Sequence, residues 1–248
     1  MTTLHGLGVL CTDFYVNQKI ALKMDLPTAR ETVLSLFDRV QRELPDMNRF
    51  RRYDGELALE SPDADARYSW LALNQTAIRS GCVNPESLDQ AYRLHRLLLE
   101  VAPYFLSVSP LDVDFVELVF GFDLEADANR NEVVFDALLA DSPLTALIDT
   151  EREAVLDAQP FVGFSLSRRG DLQAFIEIKT RTGAREIATR QWGNEPISVY
   201  LTVRRYGPYK TLDDFTDSFG TLAGHAERLA EERVIPGVVV PIRQTLMS

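Results

Sequence analysis

The chain has 248 residues, with 26 Lys plus Arg against 37 Asp plus Glu and three His, a formal net charge of −11. Hydrophobic residues make up 46% and charged residues 25%, ordinary globular usage that excludes wholesale disorder, a fibrous repeat and a disulfide scaffold. The acidic balance opposes the phosphate neutralisation that nucleic-acid binding needs, which sets DNA and RNA aside as principal partners.

In chain order, Phe14, Val16, Ile20, Leu22 and Met24 alternate with Tyr15, Asn17, Lys19 and Lys23, a period of two that predicts a strand with one buried and one polar face. From Pro27 to Leu44 the apolar residues recur every three or four positions, which predicts a one-sided helix. Asp54-Gly55 between two short strand-like runs reads as a tight hairpin turn, because this pair takes positive φ readily. Tyr68 to Arg79 then supplies another strand. Ser87, with Gln90 three positions on, reads as the capped start of a helix whose apolar face carries Leu88, Ala91, Leu94, Leu98 and Val101.

The same order begins again at Val113 to Leu124, where apolar groups on both faces mark an interior strand. A helix from about Arg130 to Ile148 follows. A hairpin comes next around Gly170, then the alternating strand Ile197 to Arg204, then a helix capped by Thr211 and carried by Leu212, Phe215, Phe219, Leu222, Ala226 and Leu229. The predicted fold class is α+β, a tandem duplication of a β-α-β-β-β-α unit, with antiparallel sheets and helices packed on one face. The repeats span 1–110 and 111–248, with Pro103 and Pro110 punctuating the boundary. The C-terminal Val234–Leu246, rich in Val and holding Pro236, Gly237 and Pro241, reads as extended. It serves either as an edge strand of its own molecule or as a tail added to a second copy, which would make a homodimer.

Chemical signatures are sparse. No phosphate loop, HExxH or nucleophile elbow occurs, and no cofactor or metal is expected. His95 sits on the apolar side of its helix and reads as a satisfied core residue, His225 as a surface residue and His5 as part of a loose terminus. Cys11 and Cys82, with no CxxC, read as reduced, inert thiols. The carboxylates Glu125, Asp127, Asp149, Glu151, Glu153 and Asp157 read as a solvated surface. No basic, apolar leader and no span long enough for a bilayer is evident, so the expectation is a cytoplasmic protein without a membrane partner.

Two constellations stand out. The doublets Arg51-Arg52, Arg168-Arg169 and Arg204-Arg205 sit near strand ends, where guanidinium forks could take an anionic ligand or an acidic partner segment or simply guard sheet edges. The polar strand face collects Tyr15, Asn17, Lys19, Gln173, Glu177, Tyr200, Thr202 and Arg204, side chains that contact a ligand by stacking and hydrogen bonds. The loop Thr180 to Pro196 adds Trp192. The functional expectation is a non-catalytic module that binds a ligand or protein on this face. The alternatives are a small-molecule effector binder, an acid–base enzyme using Glu177 or Asp54, and a homo-oligomeric assembly protein.

Leu201 to Phe215, LTVRRYGPYKTLDDF, resembles the strand, Gly-Pro-Tyr turn and helix of the bacterial effector-binding domains related to the DNA gyrase inhibitory protein. That resemblance implies a duplicated α+β fold that binds small, often amphipathic or cationic molecules in a sheet cavity, commonly with a buried Glu.

Overall fold

The computed structural model describes residues 10–149 and 152–248, so His5 and Glu151 lie outside the described residues. The strands are β1 (Asp13–Leu22), β2 (Arg49–Tyr53), β3 (Glu56–Glu60), β4 (Tyr68–Asn74), β5 (Ala77–Val83), β6 (Val113–Leu124), β7 (Phe161–Ser165), β8 (Leu172–Lys179) and β9 (Ile197–Tyr206). The helices are α1 (Arg30–Glu43), α2 (Leu88–Phe105), α3 (Arg130–Leu138), α4 (Ala184–Thr189), α5 (Leu212–Leu229) and α6 (Val240–Met247). A wide-turn, π-type segment (Ala230–Val239) links the last two, and a 3-10 turn occupies Pro143–Leu147.

All nine strands belong to one antiparallel sheet of order β2-β3-β4-β5-β1-β6-β9-β8-β7. The first strand of each half, β1 and β6, pair at its centre, with Val16 opposite Phe120 and Ile20 opposite Val116. Alternation decides which face is covered: Phe14, Val16, Gln18 and Ile20 are buried, whereas Tyr15, Asn17 and Lys19 stay half-exposed on the other side. Each fully buried Val, Leu, Ile or Phe contributes about 1.5–3 kcal/mol.

Helices α1, α2 and α5 form where the pattern predicts. α1 buries Val33, Leu36, Phe37 and Val40. At α2, Ser87 Oγ accepts a hydrogen bond from the Gln90 amide at 3.1 Å while Gln90 Oε1 accepts from the Glu86 amide at 2.6 Å, which satisfies two amides that the helix cannot. Thr211 caps α5 in the same way through the Asp214 amide. Tyr92 on α2 meets Phe219 on α5 edge to face at 5.0 Å and donates to Glu227 at 2.9 Å, so the two halves share a helix contact as well as a sheet.

Gly55 and Gly170 carry the hairpin turns at φ +74° and +75°, conformations that cost glycine little. Four expectations change, the last of them at the C-terminus. The run Tyr68 to Arg79 is two strands, broken at Gln75 and Thr76, so the first half has five strands against four in the second, and the element order does not establish a repeated unit. The helix at Arg130 stops at Leu138, short of the expected Ile148, and only a 3-10 turn follows at Pro143.

The C-terminal Val234–Leu246 is helical, not extended. Val234, Val239 and Ile242 are fully buried, and the Val240 amide bonds to Ile235 O, five residues back. Such wide spacing accommodates Pro236, which has no N–H to give. Burial therefore outweighs the local preference of a Val- and Pro-rich segment. Among the described residues no helix is long and apolar enough to cross a membrane.

Candidate functional site

Antiparallel register puts directly opposed residues on the same face, so the open face can be read across the sheet row by row. One row runs Arg79, Lys19, Glu117, Arg204, Gln173. The next runs Trp70, Gly81, Asn17, Val119, Thr202, Phe175, and a third runs Tyr15, Gly121, Tyr200, Glu177, Phe161. Tyr15, Asn17, Lys19, Glu177, Tyr200, Thr202 and Arg204 thus share one surface.

Its centre is built around Arg204. The guanidinium bonds to Glu117 at 2.6 and 2.7 Å and to the Tyr206 hydroxyl at 3.0 Å. It lies over the Phe115 ring at 4.3 Å, with Phe175 and Tyr206 at 5.3 and 5.7 Å, and Lys19 approaches Phe115 at 5.4 Å. Burial works against the charge on Arg204, but the Tyr206 hydroxyl and the Glu117 carboxylate outweigh it and hold the pKa above its ordinary value. A guanidinium stacked on rings in this manner gains from the ring quadrupole in addition to the ion pair.

Beside it is a hydroxyl and carboxylate cluster. Asp123 accepts from Ser198 Oγ at 2.6 Å and from the Tyr15 hydroxyl at 3.2 Å. Arg181 donates to Ser198 Oγ and to the Tyr200 hydroxyl, both at 2.7 Å. Partial burial raises the Asp123 carboxyl, and the two hydroxyl hydrogen bonds offset part of that shift. Burial also raises the Tyr15 phenol.

Glycines shape the surface between these groups. A Cβ at Gly121 would run into the Tyr15 ring, one at Gly81 into Trp70 and Asn17, and one at Gly163 into Phe175. The three rings therefore lie down over bare backbone, an arrangement that only strand glycines permit. Asn17 Oδ1 and Arg79 Nε are enclosed here and make no hydrogen bond.

The remaining candidates are scattered. Arg51 shares the open face and approaches Glu60 at 4.0 Å, while Arg52, next to it on β2, points to the helix side. Arg168 and Arg169 are exposed in the β7–β8 turn, at the opposite edge of the sheet from β2. Arg205 is turned to the helix side, where it bonds to Asp214 at 2.6 Å and lies over Tyr209 at 5.0 Å, so it locks the start of α5 and does not form a patch with Arg204. Trp192 is half-buried in its loop. Glu177 pairs with Lys179 at 3.2 Å, and Asp54 is exposed at the hairpin tip. His95 is fully buried, with Nδ1 at 2.7 Å from Ser80 Oγ and Nε2 at 3.2 Å from Val16 O, as a core histidine should be.

Phe115, Glu117, Asp123, Phe175, Trp70 and Arg181 are the contributors that sequence reasoning missed. Their signal was present in β6, where Phe115 and Val119 occupy the second face, but that pattern reads equally as an interior strand. No protein-family model matches the chain, the effector-binding domains included, and no curated protein matches it. Among solved structures, the di-domain ARO/CYC BexL from the BE-7585A biosynthetic pathway is similar over 94% of this chain and 99% of that one, at 8% sequence identity and a TM-score of 0.20, a likeness too slight to carry an argument.

Proposed function

We propose that the chain is a non-catalytic binding module that receives a small planar ligand on its open sheet face. The observation that carries this reading is the stack of Arg204 on Phe115, Phe175 and Tyr206, beside rings laid flat over strand glycines. Flat aromatic and guanidinium surfaces offer stacking area at little entropic cost. The Tyr15, Tyr200 and Asp123 hydroxyl–carboxylate cluster would orient a polar substituent. Arg181 ties the Thr180 to Pro196 loop to the same surface, so a bound ligand would also order or shift that loop.

The test is a thermal-shift screen against planar aromatic acids, amides and nucleobases. A ligand at about 100 times its dissociation constant stabilises the fold by about 2.7 kcal/mol, which moves the transition by several degrees. Arg204→Ala and Tyr200→Phe should each reduce the shift, with affinity falling about tenfold for the arginine. A shift of equal size in wild type and Arg204→Ala would place the ligand elsewhere and overturn the reading.

A further inference from the structure

A separate cavity of about 590 Å³ opens on the helix side of the sheet, between the first turn of α1 and the β2–β3 hairpin. Its volume is in the range of small-molecule sites. Its apolar wall is built by Val33 and Leu34 from α1, Phe50 from β2, Leu57 from β3 and Leu73 from β4, while Thr28, Asn74 and Gln75 add polar groups. Phe50 and Leu34 remain 52% and 36% exposed, so this end of the core is only partly closed by the chain itself.

Two cations, Arg30 and Arg52, also line the cavity. Among the described residues neither forms an ion pair, whereas the one carboxylate on the wall, Glu56, is already engaged by Arg79 and by Asn74 Nδ2. Ala29 at the N-cap of α1 offers no side-chain acceptor, so the first-turn amides keep their partial positive charge, which Glu31 in the same turn partly offsets. An apolar wall lined also by exposed guanidinium groups without ion pairs is complementary to a molecule in which an apolar body ends in an anion.

We infer that this cavity is a second binding site, for an amphipathic carboxylate such as a medium-chain fatty acid, with Arg30 and Arg52 holding the head group and Leu34, Phe50 and Leu57 the tail. The site lies on the opposite side of the sheet from Arg204 and stands independently of the reading given above.

The experiment is calorimetric titration of the full chain with decanoate, kept below its aggregation threshold, with decanol and decyltrimethylammonium as neutral and cationic controls. Decanoate should bind saturably at one site. Arg52→Glu, at an exposed position, should weaken binding about tenfold or more, Leu34→Asp should remove it, and Arg204→Ala should leave it unchanged. Circular dichroism of each variant verifies the fold. Equal affinity for decanol, undiminished binding in Arg52→Glu, loss of binding in Arg204→Ala, or no heat up to about 1 mM decanoate, a limit of about 4 kcal/mol in binding free energy, would each overturn the assignment. Concentration-dependent dimerisation that Leu34→Asp abolishes, with no decanoate bound, would give the groove to a second copy of the chain and overturn it also.

Discussion

Single buried side chains carry the sharpest expectations. Desolvation pushes the His95 imidazole down to about 4 from an ordinary 6.5, so it is neutral in the fold and takes up a proton on unfolding in mild acid. Its contribution is fully present above pH 6.5 and is lost as pH falls from there toward 4. Between about pH 7.5 and pH 5 this group alone should remove about 2 kcal/mol of stability. Urea titrations at both values would check this, with His95→Gln expected to show a smaller loss than wild type. The thiols give a second test. Burial pushes Cys11 up to about 12, with Asp123 and Asp13 adding to the shift, and burial also raises Cys82. Neither thiolate forms near neutrality, so Ellman's reagent should label both only after denaturant is added; fast labelling of the folded protein would refute the burial argument.

Among elements, the Thr180 to Pro196 segment, a plain loop by sequence, holds the short helix α4 and is long yet anchored. Arg130, wholly buried, donates to Thr180 O at 2.7 Å, to Gly193 O at 2.8 Å and to Glu186 at 2.8 Å. The Gly183 and Gly193 amides and Arg130 together draw the Glu186 carboxyl down to about 2. Arg130→Met strands these acceptors and should cost on the order of 3 kcal/mol, read by chemical denaturation, with protease cleavage appearing first between residues 180 and 196. A loss below about 1 kcal/mol would mean the loop is held by other contacts. Sequence reading could place this loop, but not its anchor: Arg130 is one of many arginines until folding brings α3 against the end of β8. The same limit explains the C-terminal helix. Pro236, Gly237 and Pro241 are breakers by local rule, and only the burial of Val234, Val239 and Ile242 reverses that preference. Caps, in contrast, were legible, because Ser87 with Gln90 and Thr211 with Asp214 need nothing beyond one helical turn.

At the level of the whole molecule, the two halves are joined through β1 and β6 over ten residue pairs and through the α2–α5 contact. Neither half closes its core alone: without β6, the central strand β1 would become an exposed edge. The chain should therefore unfold in one cooperative step. It has two tryptophans, Trp70 in the first half and Trp192 in the second, so Trp192→Phe and Trp70→Phe each leave a reporter in one half. Coincident urea midpoints are expected; a gap beyond the shift caused by the substitutions would show that residues 1–110 and 111–248 fold as separate domains.

Local pattern sufficed for whatever depends on neighbours in sequence. The alternation of β1, the apolar stripes of α1, α2 and α5, the helix caps, the glycine turns and the polar face holding Tyr15, Asn17, Lys19, Tyr200, Thr202 and Arg204 all follow from periods of two or three to four. Strand order, by contrast, depends on which strands pair, and pairing is a long-range choice that no window of residues contains. It was folding that set Glu117 between Lys19 and Arg204, laid Tyr15 over Gly121, split Arg204 from Arg205 onto opposite faces, and opened the α1–β3 cavity to Arg30 and Arg52. The physical reason is that a strand's side chains acquire chemical neighbours only through its register with the strands beside it.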